Sequence, residues 1–412
     1  MTPRPALRPA FVAAALAALA IPAAGLPAGA REVEVRTVES LRAAARAAAP
    51  GDRIRVAPGT YAGGCYIESV HGTAAAPVRI EARDPANPPV FQGGDVPFHL
   101  NACSHLVVDG LVATGGVENN VQVDFSHHLV LRRVASRAVA GRGNCDGIKM
   151  PGVTDFLFHD CAVETWGAEG SAIDMVGCAR GLLMKCRFAY PGLKGQTANA
   201  LQPKGGTVGL GVFRCRFDDA SHRALQFGGS TGEAFFHQKN RDAGYEGMDM
   251  VAMGNVITGG GAAAAFVSCT RCDVEYNTIV RPRQFVLRIL REGGMKPTAG
   301  NAFARNLVVY GRLAEIANVG GDVDARSLRF AENYWFNDAD PARSVPALPA
   351  PEVSPAGGAD PRLDAELRPA PDGPAAAYGA HAAGLDGAWE RQTGRFAWAW
   401  EQAQRIEAAG PR

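Results

Sequence analysis

The fold is decided by four short stretches of the sequence that share one pattern: Gly147-Ile148-Lys149-Met150, Ala172-Ile173-Asp174-Met175, Ala200-Leu201-Gln202-Pro203 and Ala224-Leu225-Gln226-Phe227. Related stretches lie upstream at 97–100 and 120–123, and downstream at 265–267 and 286–289. Their spacing of roughly 22–28 residues is the period of stacked β-coils. The repeat predicts an all-β fold, a right-handed parallel β-helix.

The alternation within each stretch separates an inward from an outward side, because successive side chains of a strand point to opposite faces. The predicted inward column is apolar and contains Phe98, Val121, Ile148, Ile173, Leu201, Leu225, Phe266 and Leu287. The predicted outward column contains His99, Gln122, Lys149, Asp174, Gln202, Gln226, Val267 and Arg288. This outward column predicts a flat polar face.

A second column predicts a corner of the coil. It contains Cys161, Cys186, Cys215, Asn255, Asn277, Asn306 and Asn333. Asparagine tolerates left-handed backbone, and its amide can bond to the asparagine above and below. Cysteine fills such a corner as a small apolar residue, so we expect most of the nine thiols to be structural rather than paired in disulfides. Cys269 and Cys272 have CxxC spacing, but no second pair completes a metal site.

The ends of the chain predict three segments. Residues 1–30 contain two arginines, an apolar run and a small-residue cleavage site, which is typical of a signal peptide. We therefore expect a periplasmic or secreted protein with no membrane span after cleavage. Residues 31–337 form the predicted β-helix, with an N-terminal capping helix over 38–49. Residues 338–412 read as a Pro/Ala-rich wrap followed by a terminal helix over 396–408.

The charge balance narrows the class of partner. The 412 residues carry a formal net charge of +1, which argues against nucleic acid as the main partner. Lysine is rare, at six residues against 36 arginines, yet Lys149 and Lys204 both fall on the polar face. Arginine can hardly ever lose its proton, whereas lysine can. We expect a monomer.

The opening Pro50-Gly51-Asp52-Arg53-Ile54-Arg55-Val56, followed by Pro58-Gly59-Thr60-Tyr61 and the coil pattern, resembles the parallel β-helix polysaccharide lyases. The most similar group is the family of chondroitinase B and the β-helix alginate lyases. The resemblance implies cleavage of a uronate-containing, acidic polysaccharide. A narrower match, Asn199-Ala-Leu-Gln202-Pro-Lys204-Gly-Gly, implies that Lys204 is the base and that Arg223 lies near the assisting arginine. Ala198 and Asn199 replace the carboxylates of the family's calcium site, so no cofactor is predicted, with calcium left open.

β-Elimination needs a base, a cation that stabilises the enolate, and an acid for the leaving oxygen. We assign Lys204 as base, Arg223 or Arg288 as cation, and His222 as acid. Tyr245, in a long loop over 229–247, is a further candidate acid and substrate contact. The polar face then supplies the other substrate contacts: Lys149, Asp174, Gln202 and Gln226.

Two other functions fit the same residues. Asp146 and Asp174, on adjacent coils, could be the carboxylate pair of an inverting glycoside hydrolase, and Asn144-Cys-Asp146-Gly-Ile resembles a segment of β-helix polygalacturonases. Alternatively, the polar face binds a glycan without cleaving it. Simpler structural roles also remain open: Lys149 and Asp174 could form an ordinary cross-coil ion pair, and Lys204 could be a turn residue.

Overall fold

The computed structural model describes residues 29–190, 198–220, 222–236 and 238–410. The predicted signal peptide lies almost entirely outside the described residues. The helices are α1 (Val38–Arg46), α2 (Gln238–Arg241), α3 (Leu385–Glu390) and α4 (Ala397–Ala408), with 3-10 turns at Glu233–Phe235, Ala325–Ser327, Pro341–Arg343, Gly379–His381 and Thr393–Phe396.

The strands are, in chain order, β1 (Glu32–Val35), β2 (Arg53–Val56), β3 (Thr60–Ala62), β4 (Cys65–Glu68), β5 (Val78–Ala82), β6 (Val90–Gln92), β7 (Phe98–Asn101), β8 (Ser104–Asp109), β9 (Val112–Thr114), β10 (Asn119–Asp124), β11 (His127–Arg132), β12 (Ala135–Arg137), β13 (Asp146–Pro151), β14 (Thr154–His159), β15 (Ala162–Glu164), β16 (Ser171–Val176), β17 (Ala179–Met184), β18 (Arg187–Ala189), β19 (Asn199–Lys204), β20 (Thr207–Phe213), β21 (Arg216–Asp218), β22 (Arg223–Gly228), β23 (Gly247–Met248), β24 (Val251–Met253), β25 (Val256–Thr258), β26 (Ala262–Val267), β27 (Cys269–Thr270), β28 (Asp273–Glu275), β29 (Thr278–Val280), β30 (Phe285–Leu290), β31 (Ala302–Ala304), β32 (Leu307–Tyr310), β33 (Ala317–Val319), β34 (Arg329–Ala331), β35 (Tyr334–Asn337), β36 (Glu352–Val353) and β37 (Ala356–Gly357).

These strands form three parallel sheets, which the chain visits in turn. Sheet 1 runs β1-β2-β5-β8-β11-β14-β17-β20-β24-β28-β31-β34-β36, with β23 and β27 attached, and sheet 2 runs from β3 to β37. Sheet 3 runs β4-β7-β10-β13-β16-β19-β22-β26-β30-β33. The predicted right-handed parallel β-helix is confirmed. Its core is the interior enclosed by the three sheets.

The inward column is confirmed from Phe98 to Leu225. Phe98 pairs with Val121, Val121 with Ile148, Ile148 with Ile173, Ile173 with Leu201, and Leu201 with Leu225. These side chains are all buried.

The predicted register is wrong by two residues at β26. Leu225 pairs with Ala264 rather than Phe266, and Phe266 pairs with Phe227. Ala265, not Val267, therefore lies in the outward column between Gln226 and Arg288. A two-residue shift keeps every side chain on its own face, so alternation alone could not exclude it.

The corner column is confirmed, with one correction to its physical reason. The Nδ2 group of Asn255 donates to Oδ1 of Asn277 at 2.9 Å, and Asn277 donates in the same way to Asn306 at 3.1 Å. The left-handed residues are those just before the asparagines, such as Tyr276 (φ 54°) and Arg305 (φ 54°). The asparagine is therefore selected for its amide rather than for backbone freedom.

The cysteines of this corner use the same hydrogen-bonding position. The thiols of Cys161, Cys186 and Cys215 each contact a carbonyl of the preceding coil, at 3.3, 3.6 and 3.6 Å. The amide of Asn277 donates to such a carbonyl as well, that of Ala252 at 3.0 Å. All nine cysteines are free, as expected for structural thiols.

One helix lies beside the first strands of the coil, and another lies on the outside of sheet 1, midway along the stack. α1 begins after Thr37, whose side chain accepts from the Ser40 N–H, and it buries Val38, Leu41 and Ala45 near β1, β2 and β4. The predicted C-terminal helix is present as α4, which lies against β11, β14 and β17 of sheet 1. Ahead of it, Trp389 stacks on Phe213 at 4.1 Å. No helix in the described ranges has the length and apolar character needed to cross a membrane.

The long loop between β22 and β23 is tied to the turn that follows Lys204. Glu246 is buried, and its carboxylate accepts from the Gly205 N–H, the Thr231 N–H and the Thr231 hydroxyl, all at 2.8 Å. Asn240 donates to the Gly206 carbonyl at 2.7 Å. The loop is thereby held beside the C-terminal end of β19, where Lys204 lies.

Candidate functional site on the polar face of sheet 3

Two rows of polar side chains run along sheet 3. The outer row, aligned by strand pairing, contains Tyr66, His99, Gln122, Lys149, Asp174, Gln202, Gln226, Ala265, Arg288 and Asn318. An adjacent row, at the start of the same strands, contains Asn119, Asp146, Ser171, Asn199 and Arg223. With ten strands about 4.8 Å apart, the face is about 40 Å long. That length suits a chain of several sugars.

The centre of the face is a buried carboxylate that holds two lysines. Oδ2 of Asp174 binds Nζ of Lys149, and its Oδ1 lies 3.3 Å from Nζ of Lys204. The Asp174 side chain is 3% exposed, against 28% for Lys149 and 17% for Lys204. The negative charge therefore lies below the surface, and the two ammonium groups are presented above it.

Asp146 is a second buried carboxylate beneath Lys149. Its Oδ2 lies 3.4 Å from Nζ of Lys149, and its Oδ1 accepts from the Ser171 N–H at 2.7 Å. Burial, and then the charge of Asp174, raise the pKa of Asp146 to about 6. Burial alone would lower the pKa of Lys149, but Asp174 and Asp146 outweigh it, so this pKa is raised and Lys149 stays cationic.

Two arginines form a second positive region further along the face. Arg223 donates to Oε1 of Gln226, its Nε is buried without a partner among the described residues, and Glu292 lies 4.0 Å away. Burial, and then the charge of Arg288, lower the pKa of Arg223 to about 10. Arg288 donates to Oδ1 of Asn318 at 3.1 Å.

An alanine strand separates the two arginines. Arg223 lies on β22 and Arg288 on β30, so their Cα atoms are two coils, about 10 Å, apart across the strands and three residues, about 10 Å, apart along them. The strand between them is β26, whose outward residue is Ala265. A methyl group between two longer cationic side chains leaves room for a carboxylate that both arginines can reach.

Gln202 lies between the two positive regions in the outer row. Its Oε1 accepts from the Ser171 hydroxyl at 3.0 Å and from the Asn199 amide at 3.3 Å. Gly229 lies against the side chains of Gln202 and Lys204. A Cβ atom added to Gly229 would lie 3.0 Å from Nε2 of Gln202 and 3.3 Å from Cδ of Lys204. The long loop therefore begins above the lysine cluster and forms a wall of the site.

Among the described residues, neither His222 nor Tyr245 forms a hydrogen bond or ring contact with Lys149 or Lys204. Nε2 of His222 contacts Oε1 of Gln284 at 3.2 Å, and burial, followed by the charge of Arg223, lowers the pKa of His222. The ring of Tyr245 lies 5.4 Å from Nζ of Lys296. The structure thus brings Lys149, Asp174 and Lys204 together, places Arg223 with Gln226, and leaves Tyr245 with another partner.

The repeat predicted His99 and Gln122 on the face, but most of the adjacent row and Asp124 were not predicted as site residues. Asn119, Ser171 and Asn199 each lie three residues before an outward residue, which was the signal available in the repeat. Further toward the N-terminus, Asp124 accepts from Gln122 at 3.0 Å and contacts Nε2 of His99 at 2.8 Å.

The residues present do not fit the calcium ion of the lyase family. Calcium requires six to eight oxygen ligands. The buried carboxylates at this site, Asp146 and Asp174, bind the ammonium group of Lys149 instead, and Ala198 offers no side-chain oxygen.

The geometry also disfavours an inverting hydrolase that uses Asp146 and Asp174. Both carboxylates contact Nζ of Lys149, so these oxygens lie within about 6 Å of each other, whereas inversion requires roughly 6.5–9.5 Å between the carboxyl groups. Both aspartates are also buried below the lysine layer.

Comparison with known proteins identifies related folds but no family. No protein-family signature matches the chain, and no curated protein sequence matches it. Among solved structures, an alginate lyase from Paenibacillus sp. str. FPU-7 is 20% identical over 72% of this chain and 99% of its own, with a TM-score of 0.47. A pectate lyase is 15% identical over 72% and 79%, with a TM-score of 0.43. A lacto-N-biosidase from Eubacterium ramulus is 11% identical over 74% and 67%, with a TM-score of 0.49.

Proposed function

We propose that this protein binds an acidic, uronate-containing polysaccharide along the polar face of sheet 3 and cleaves it by β-elimination outside the cytoplasm. The observation that carries the proposal is that the negative charge of Asp174 lies deeper below the protein surface than the two positive charges that it binds. Its carboxylate is buried, while the ammonium groups of Lys149 and Lys204 lie above it. A sugar carboxylate that approaches the face meets the cations first.

The chemistry assigns a separate part to each region of the site. Lys204 removes the proton beside the uronate carboxylate, the electron pair of that C–H bond forms a carbon–carbon double bond, and the glycosidic oxygen leaves. Arg223 and Arg288 neutralise the carboxylate, whose negative charge grows as the proton departs. The leaving oxygen takes its proton from water, because His222 lies at the other end of these strands from Lys204 and contacts Gln284 instead.

One observation favours a second candidate function, binding without cleavage. A base must be neutral before it accepts a proton, and Lys204 lies 3.3 Å from Asp174, an anionic partner. In a pure binding protein, the same ion pair would only fix the ammonium group toward the glycan.

Variants of single cations test the proposal. We expect wild-type protein to bind oligomers of alginate, pectate or chondroitin, and Lys149→Gln and Arg288→Gln each to weaken binding about tenfold, since one charge-assisted hydrogen bond contributes about 1.5 kcal/mol. The control is Lys185→Gln, whose side chain binds Glu407 beside sheet 1. Isothermal titration calorimetry measures the affinities.

The product chemistry separates the candidate functions. Unsaturated fragments that appear with wild type and disappear with Lys204→Gln support elimination. Retained binding with no fragments at all supports the binding protein. Equal affinity of wild type and the two cation variants would refute the assignment of the face.

A further inference from the structure

A group of three histidines lies at the N-terminal ends of β8 and β11 in sheet 1, outside the polar face. Ring nitrogens of His105, His127 and His128 all lie within 4.8 Å of one another. His105 and His128 occupy equivalent positions of neighbouring coils, with Leu106 paired to Leu129 just after them, and their rings stack at 4.5 Å. His127 precedes His128, and its Nδ1 lies 2.8 Å from Nδ1 of His128. Three of the nine histidines of the chain are thereby gathered in one place.

The three rings have few other partners. Within the described residues, the hydrogen bond between His127 and His128 is the only one that these rings make. The acidic residue of the next coil, Asp155, is bound by Arg180 through both oxygens, one of them at 2.7 Å from Nε. Burial lowers the pKa of His105 and of His128, which favours the neutral ring that ligates metals.

We propose that His105, His127 and His128 bind a divalent transition-metal ion, with Zn²⁺ as the reference ion. Imidazole is a preferred ligand of Zn²⁺, and three histidines leave the fourth tetrahedral position for water or an external ligand. Zn–N bonds of 2.0–2.1 Å place two ligand nitrogens about 3.3 Å apart. The pair at 2.8 Å is close to this separation, and rotation of the His105 ring about its side-chain bonds brings in the third nitrogen.

The position of the site suggests a structural consequence. The indole ring of Trp398, in α4, meets the His128 ring edge-on at 5.0 Å. His127 is exposed, so an ion can enter from solvent. A bound ion would fix His128 against α4 and so fasten the C-terminal helix to the coil. The site lies on sheet 1 and is independent of the proposed glycan function.

Calorimetric titration with Zn²⁺ of tag-free, chelator-treated protein tests the proposal. We expect one site per chain, and a loss of affinity of at least about 10–100-fold in His127→Gln, because even an outer-shell partner of a metal has an effect of that size. His127 is exposed and lacks the left-handed backbone of His105 (φ 48°) and His128 (φ 57°), so its replacement leaves the fold intact. His381→Gln, at a 3-10 turn far along the chain, is the matched control.

A second readout does not depend on any histidine variant. Cu²⁺ quenches a nearby indole, so titration with Cu²⁺ should remove a saturable fraction of the fluorescence in wild type, and that fraction should be absent in Trp398→Phe. Wild type that binds neither ion saturably, or His127→Gln that binds Zn²⁺ as tightly as wild type, would overturn the proposal.

Discussion

Replacement of Asp146 by asparagine should change how stability depends on pH, because this carboxyl is one of the most perturbed groups of the site. It is buried beside Asp174, and its pKa is raised from 3.8 to about 6. Asparagine has nearly the same volume, and its oxygen can still accept from the Ser171 N–H. The substitution therefore removes the titration together with the ionic contact to Lys149, and it keeps the volume and the hydrogen bond from Ser171.

The direction in which stability changes with pH follows from the number of protons that the folded and unfolded chains bind. Between about pH 4 and pH 6, the folded chain keeps the Asp146 proton while the unfolded chain has lost it, so a rise in pH favours unfolding. The shift of about two pKa units corresponds to roughly 3 kcal/mol. The stabilising contribution is complete below about pH 4 and is lost as the pH rises through 6. The stability of wild type minus that of Asp146→Asn should therefore fall by about 3 kcal/mol from pH 4 to pH 7.

Urea unfolding of both proteins across pH 4–7 measures this difference. Asp52→Asn is the control with the opposite shift: burial opposes ionisation, but hydrogen bonds from Arg31 and Ala49 outweigh it and lower the pKa of Asp52 to about 2. The contribution of Asp52 is lost only as the pH falls from 4 toward 2, so its difference should stay flat across pH 4–7. A flat or rising difference for Asp146→Asn would refute the account of the buried pair.

Three further substitutions test other parts of the structure. Asn277→Ala should destabilise the fold by about 2–4 kcal/mol, because it removes a buried amide from the row of corner asparagines and leaves the Asn255 N–H without its acceptor at 3.0 Å. Thermal unfolding measures the loss, with the exposed Asn87→Ala as the control. Equal stability of the two variants would contradict this role of Asn277. Asp174→Asn should lower the free energy of unfolding by about 2–3 kcal/mol, less than the roughly 3–5 kcal/mol of a fully buried pair, since both lysines retain some solvent contact. Urea unfolding at neutral pH measures the loss. An unchanged free energy of unfolding would contradict the central position of this carboxylate. Trp389→Ala removes the ring that stacks on Phe213 and should lower the free energy of unfolding by about 3–5 kcal/mol. Amide hydrogen exchange should become faster in α4 before it does so in the strands. An equal increase in α4 and in the strands would contradict this prediction.

The fold could be predicted because its signal repeats. Each coil supplies the same alternation, so the inward column from Phe98 to Leu225 and the asparagine corner were both visible in the sequence. The register error at β26 has a physical cause. Four consecutive alanines, from Ala262 to Ala265, show no alternation of large apolar and polar residues, so a register shifted by two residues fits the sequence equally well.

The site could be predicted only in part, because a repeat shows which residues are aligned across the coils but not which side chains contact one another. The outward column placed Lys149 beside Asp174, and the strand pairing confirms that alignment. The pattern did not show that Asp174 is buried or that Asp146 shares its lysine, since both depend on side-chain packing above the sheet. The three histidines were missed for a related reason, because the left-handed backbone of His105 and His128 interrupts the alternation at the beginning of β8 and β11.

In the proposed reaction, Lys204 removes a proton from a uronate bound on sheet 3. The most direct test follows ultraviolet absorbance during incubation with alginate, pectate, chondroitin and heparan-type polymers, with wild type, Lys204→Ala and Lys185→Ala side by side. We expect a rise from unsaturated uronate on at least one polymer with wild type and Lys185→Ala, and no rise with Lys204→Ala. An equal rise with Lys204→Ala, or no rise with wild type on any acidic polymer, would contradict it.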